Sequence, residues 1–137
     1  GIKDELHTIV CEAIRLTKLD FGVICGKRTE AEQQELVAKG ASQTMKSKHL
    51  TGDAVDLMAY VGSRASWELN LYDDIADAMA QASKKHDVPI KWGAAWSIGN
   101  IAQWNSSMEG GMNSYIDLRR SQGRRPFIDG PHFELIQ

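Results

Sequence analysis

The chain has 137 residues, of which 42% are hydrophobic and 25% charged, with a formal net charge of -2. That length fits one domain spanning residues 1–137 with a real hydrophobic core, and the slightly acidic balance argues against a nucleic-acid partner, whose binders are usually basic. No apolar stretch approaches the ~20 residues of a membrane span, and the N-terminus lacks a basic-then-apolar leader pattern.

Gly1 in place of Met points to processing or a tag scar. Cys11 and Cys25 are too few for a disulfide framework and sit in apolar segments outside any CxxC pair. They are expected to be buried free thiols, in a chain made in a reducing compartment.

Leu6, Ile9, Val10, Ala13 and Ile14 recur at helical spacing and predict an amphipathic helix over residues 4–17. Asp20 to Cys25 reads as a short strand leading into Gly26-Lys27-Arg28. Thr29 followed by Glu32 is a capping-box pattern, and Gly40 is a plausible stop, so a helix is expected over 30–39. Residues 54–61 read as a strand with Ala54, Asp56 and Met58 on one face and Val55, Leu57 and Ala59 on the other. A second amphipathic helix runs from about 69 to 86, carried by Leu71, Ile75, Ala78, Met79 and Ala82. Pro89 opens a short strand, Ile90-Lys91-Trp92, that ends at Gly93.

From residue 97 to 125 the pattern dissolves into a long loop, broken by Gly110-Gly111 and Gly123, in which Tyr115, Ile116 and Arg119 could occupy a short helix. A loop of that length is more often functional or mobile than incidental. The chain closes on a strand in which His132 and Glu134 share a face opposite Phe133 and Leu135. Helices packed against a small, mostly antiparallel sheet, an α+β fold, is the natural assembly.

The chemistry concentrates in two segments, residues 47–57 and 129–135. Asp56 interrupts an apolar strand, where a carboxylate is costly unless a cation or hydrogen bonds compensate. Gly52 permits a tight turn that could swing His49 back over the start of that strand, and His132 arrives from a distant strand. Two imidazoles and one carboxylate make a zinc site with a fourth position open, the catalytic arrangement. On the residues alone each has an ordinary alternative: a histidine near a turn is usually a surface residue, and Asp56 could cap a turn.

The pattern Ser47-x-His49-x-x-Gly52-x-Ala54-x-Asp56, followed much later by Pro131-His132-Phe133-Glu134-Leu135, resembles the M15 zinc metallopeptidases. Within that group, which contains D-Ala-D-Ala peptidases and phage endolysins, it is most similar to the L-alanyl-D-glutamate endopeptidase endolysins. The resemblance takes in the first helix, the segment from Asp20 to Thr29, both metal segments and the Trp92-Gly93 motif, in order along nearly the whole chain. It implies a D-Ala-D-Ala peptidase-like (hedgehog/DD-peptidase) fold, with Zn²⁺ held by His49, Asp56 and His132.

A zinc peptidase also needs a group that moves a proton from the attacking water to the leaving amine. Asp129, three residues before His132, matches the acidic residue of that role, although Asp-Gly is also a plain turn signal. Arg28, in a Gly26-x-Arg28-Thr29 pattern, is a candidate for polarising the scissile carbonyl or binding a substrate carboxylate, and otherwise a surface arginine. Ser47 could bind substrate, orient the ligand, or serve only as a turn hydroxyl. Trp92-Gly93-Ala94-Ala95-Trp96 resembles the family's WGGDW-like segment, with Trp96 expected to wall the substrate groove and Trp92 to sit in the core. Ala95 stands where an acidic residue is common, so any contact from that carboxylate to a zinc-bound histidine would be missing. Glu134 reads as a solvent-facing strand residue, with a second-layer acceptor or alternative base as its other readings. His7 and His86 read as surface histidines without partners.

The resemblance implies a zinc-dependent hydrolase of the peptidoglycan stem peptide, cutting between L-alanine and D-glutamate as an endolysin in phage-induced host lysis. The alternatives are a D,D-carboxypeptidase and a catalytically inactive wall-binding module. The expected partners are bacterial peptidoglycan and a holin-type permeabilising protein, with no nucleic acid and no integral membrane segment, and a monomer is expected. With no leader and no separate wall-binding unit visible, the chain is expected to be made in the host cytoplasm and to act on thin, Gram-negative-type wall in the periplasm.

Overall fold

A computed structural model of the chain describes residues 1–40 and 47–136. The first helix, α1 (Asp4–Leu16), is followed by strand β1 (Asp20–Cys25) and helix α2 (Glu30–Ala38). A 3-10 turn at Lys48–Thr51 leads into β2 (Ala54–Val61), the short β3 (Arg64–Ser66) and the long helix α3 (Leu69–His86). Then come β4 (Ile90–Trp92), a 3-10 turn at Ile101–Gln103, α4 (Met108–Ser121) and β5 (His132–Leu135).

The sheet runs in the order β1-β2-β5-β4, with β3 paired to β2, and every pairing is antiparallel. This is the α+β arrangement expected. Its two faces are chemically distinct because a strand alternates its side chains. Val55, Leu57, Ala59, Phe133 and Trp92 point into the core, where they join Leu6, Ile9 and Ala13 of α1 and Tyr72, Ile75, Ala76, Met79 and Ala82 of α3. Each fully buried Leu, Ile or Met side chain contributes about 1.5–3 kcal/mol, so the helix-covered face carries the fold. The opposite face holds Asp56 on β2 and His132 and Glu134 on β5, placed as neighbours because Asp56 pairs with His132 in the β2–β5 register.

The capping box at α2 forms as its sequence pattern requires. The Thr29 hydroxyl accepts from the Glu32 backbone N–H, and the Glu32 carboxylate accepts from that of Thr29.

Two expectations need correction. Residues 108–121 are not loop but helix α4, capped by Ser107, whose hydroxyl oxygen accepts from the Gly110 N–H. Gly110-Gly111 reads locally as a breaker, yet Gly111 is where α4 meets Ile98 and Trp104. A Cβ there would lie 2.7 Å from Ile98 Cδ1. The thiols are also not buried: Cys11 is exposed beside His7, and Cys25 is half-buried at the end of β1. Cys11 lies on the exposed side of α1, and Cys25 does not point inward because edge strand β1 leaves Val23 and Ile24 exposed as well.

Candidate active site

The side chains named from the two motifs converge on the sheet face opposite the core formed with α1 and α3. Ser47 caps the 3-10 turn, its hydroxyl oxygen accepting from the His49 N–H at 3.2 Å. Gly52 ends that turn at φ 78°, a left-handed conformation that glycine adopts without strain. His49 is thereby folded back and buried, 2% exposed. Its Nδ1 lies 2.9 Å from the Gly26 carbonyl. A carbonyl only accepts, so Nδ1 carries the proton and Nε2 is left facing Asp56 Oδ1 at 3.4 Å.

His132 approaches the same oxygen from β5, with Nδ1 3.3 Å from Asp56 Oδ1. Its Nε2 donates to Glu134 Oε1 at 2.9 Å, and Lys48 holds the other Glu134 oxygen at 3.0 Å. Two donor atoms about 2.0–2.1 Å from a tetrahedral zinc stand about 3.3–3.4 Å apart. Each imidazole nitrogen is therefore spaced from Asp56 Oδ1 as two ligands of one zinc would be, and imidazole and carboxylate donors suit that ion, but His49 and His132 fall in different ligand groups. Asp56, Asp129 and His132 form one group whose potential ligand atoms lie within 4.8 Å of one another, and Cys25, His49 and Asp56 form a second.

Electrostatics follow from this crowding. Burial opposes the charge on Asp56, but the His132 and His49 rings against it outweigh that and hold the carboxyl well below the usual carboxylate range. Burial likewise works against the His132 imidazolium, yet Asp56 and Glu134 push it up to about 9. Glu134 is lowered by His132 and Lys48 against the cost of its burial. Asp129 moves the other way. Burial and then the Asp56 charge raise its pKa, with His132, His49 and Arg28 only partly compensating.

Asp129 is placed by a tight backbone clasp. Its N–H donates to the Gly93 carbonyl at 2.8 Å, the Gly93 N–H donates to the His132 carbonyl at 2.8 Å, and the His132 N–H donates to the Asp129 carbonyl at 3.1 Å. A Cβ on Gly93 would sit 2.4 Å from the Asp129 carbonyl oxygen. The Trp-Gly motif is thus a steric demand of the loop that carries Asp129. Trp92 is fully buried and donates from Nε1 to the Gly130 carbonyl at 2.7 Å.

Trp96 stands beside His132, ring centroids 5.7 Å apart, with Phe127 on its other side at 6.4 Å. Its buried Nε1 has no hydrogen-bond partner among the described residues. Arg28 reaches Asp56 Oδ2 at 3.6 Å, donates to Gln33 Oε1 at 2.8 Å and contacts Cys25 Sγ at 3.3 Å.

Several of these contacts lie outside what the motifs indicate. Glu134 is half-buried on His132, not solvent-facing, and its signal was a carboxylate two residues from a histidine on one strand face. Ala95 is buried, and the outer nitrogens of both imidazoles are held by Gly26 and Glu134 without it. Cys25, Gln33 and Lys48 join the surroundings with no motif to mark them. His7 and His86 are exposed as expected, although not without neighbours: His7 Nε2 lies 3.6 Å from Cys11 and His86 Nε2 lies 3.4 Å from Glu12.

Two imidazoles and the carboxylates around them, gathered on one face of an α+β fold, make a candidate metal centre. The chain belongs to the phage L-alanyl-D-glutamate peptidase family, whose model matches residues 1–136. It is 31% identical to the L-alanyl-D-glutamate peptidase of Escherichia phage T5, over 98% of this chain and 89% of that protein. A shorter match, 36% identical over 51% of this chain and 24% of the relative, is to the L-alanyl-D-glutamate peptidase of Listeria phage A118. The crystal structure of the Serratia marcescens L-Ala D-Glu endopeptidase ChiX superposes with a TM-score of 0.73 at 31% identity, covering 99% of this chain and 81% of that one.

Proposed function

We propose that the chain is a zinc-dependent endopeptidase that hydrolyses the L-alanyl-D-glutamate bond of the peptidoglycan stem peptide. The observation that carries this reading is the approach of His49 Nε2 and His132 Nδ1 to one oxygen of Asp56, at 3.4 and 3.3 Å, in a chain of this family. His49, Asp56 and His132 would hold the ion, which when bound supplies a Lewis acid that lowers the pKa of water and polarises a carbonyl.

The protein's own groups do the rest. Asp129, with its raised pKa, is suited to take a proton from the attacking water on its carboxylate and return it to the leaving amine. Arg28 adds positive charge on the Asp56 side of the site, where oxyanion charge would develop. Trp96 offers a flat wall for the stem peptide, and the Ser47 hydroxyl, whose oxygen caps the turn, can meet the peptide backbone.

In the cell this activity fits an endolysin, made in the host cytoplasm and acting on periplasmic wall once a holin-type partner has permeabilised the membrane. No described helix is long and apolar enough to cross a membrane. Incubation with a defined muropeptide and mass spectrometry tests the reading. Products severed between L-Ala and D-Glu are expected. Release of terminal D-Ala would assign a D,D-carboxypeptidase, and intact peptide bound without cleavage would assign an inactive wall-binding module.

A further inference from the structure

The site face carries three carboxylates, Asp56, Asp129 and Glu134, and its cations are not equivalent. Arg28 is committed to Asp56 at 3.6 Å. Lys48 is committed to Glu134 at 3.0 Å and to the Leu135 carbonyl at 2.6 Å. Lys91 lies on β4 opposite Glu134, so it shares the face of Glu134 and His132. Both Glu134 oxygens are already engaged, by His132 and by Lys48. Among the described residues no carboxylate pairs with Lys91; its Nζ instead sits over the Trp96 ring, 5.9 Å from the centroid. Trp96 in turn flanks His132 at 5.7 Å. An ammonium group held over an aromatic ring beside an acidic site has a defined position and N–H donors to offer an anion.

We propose that Lys91 is a specificity-determining residue that pairs with the free carboxylate of the substrate's D-glutamyl residue. The inference rests on the endopeptidase reading above. In an L-alanyl-D-glutamyl bond the nitrogen being released belongs to D-glutamate, whose α-carboxyl is only two bonds from that nitrogen. When the onward chain uses the side-chain carboxyl, this α-carboxylate enters the site with the scissile bond, against Asp129 and Glu134. A cation must meet it there, because an unpaired anion among carboxylates is repelled. Among the described residues, Lys91 is the cation on this face not paired with a carboxylate, and its aliphatic stem can rest on Trp96 while the ammonium reaches outward.

Two synthetic stem peptides test this, one with the D-glutamyl α-carboxylate free and one with it as the amide. The wild-type zinc protein is expected to favour the acid by about tenfold in kcat/KM, mostly through KM, the scale of one charge-assisted contact. K91M, which keeps the stem and removes the charge, should lose that preference by losing rate on the acid, and K91R should keep it. Titration of metal-free protein with the released D-glutamyl product, followed by NMR, should show about tenfold weaker binding to K91M. Retention of the acid preference by K91M, or its absence in the wild type, would overturn the role of Lys91 and leave the endopeptidase reading standing. Failure of the wild type to cut either peptide at the alanyl bond would overturn the reading itself.

Discussion

Gly93→Ala should disable the enzyme while leaving it folded. The added Cβ would stand 2.4 Å from the Asp129 carbonyl oxygen, 3.0 Å from His132 Cβ and 3.2 Å from Asp129 Cβ. The obstacle is backbone, so the Asp129 loop must retreat by at least about 0.6 Å to reach the 3.0 Å that real Cβ contacts respect. Two hydrogen bonds of 2.8 Å, from Asp129 to Gly93 and from Gly93 to His132, stretch as it does. Overpacking of this kind costs about 1–3 kcal/mol, which at this chain length lowers Tm by several degrees. Turnover should fall further than stability, by about 100-fold, because misplacing a proton-transfer group by about 1 Å has that effect. The assay is kcat/KM on a defined muropeptide well below the variant's Tm, beside circular dichroism melts and with Gly99→Ala as control, since a Cβ there meets nothing within 4 Å. Wild-type turnover in Gly93→Ala would refute the idea that this glycine sets the position of Asp129.

Asp129→Asn should retain stoichiometric zinc, measured by elemental analysis, and lose about 10²–10⁴-fold in kcat; near-normal turnover would dismiss the proton-shuttle role. Glu134→Ala frees His132 Nε2 and should weaken zinc binding about 10–100-fold in a chelator competition, with Glu134→Gln between it and wild type. Equal affinities across the three would show that the Glu134 contact does not tune the ligand. Asp73 on α3 is 6% exposed, and burial followed by Asp74, Glu109 and Asp77 pushes its carboxyl up to about 6. A carboxyl whose folded pKa lies above its unfolded value costs stability on ionising, so the fold loses stability as pH rises from about 4 through 6. Asp73→Asn should therefore raise Tm at pH 7 by the equivalent of about 1–3 kcal/mol and change it little below pH 4; an equal gain at both values would contradict the titration.

Local pattern accounts for much of the fold. The spacing of Leu6, Ile9 and Ala13, the Thr29–Glu32 box and the alternation through 54–61 each reported a structure decided within one turn or one strand. The signal failed at α4 because Gly110-Gly111 serves a contact with Ile98 and Trp104 that no local rule contains. It failed at Cys11 and Cys25 because an apolar neighbourhood in sequence is not a direction in space. The convergence of His49, Asp56, His132 and Asp129 was legible through the order of the two motifs. The partners of those residues were not, since Glu134 and Lys91 acquire meaning only from the β4–β5 and β2–β5 registers, and Gly93 only from the loop lying against it.

In the mechanism proposed here, zinc on His49, Asp56 and His132 drives cleavage of the L-alanyl-D-glutamate bond. Mass spectrometry of a defined muropeptide, digested by the protein as purified, after chelation and after zinc is restored, tests it most directly. Alanyl–glutamyl cleavage that chelation abolishes and zinc recovers is the expected result. Undiminished cleavage by the fully chelated protein would contradict it.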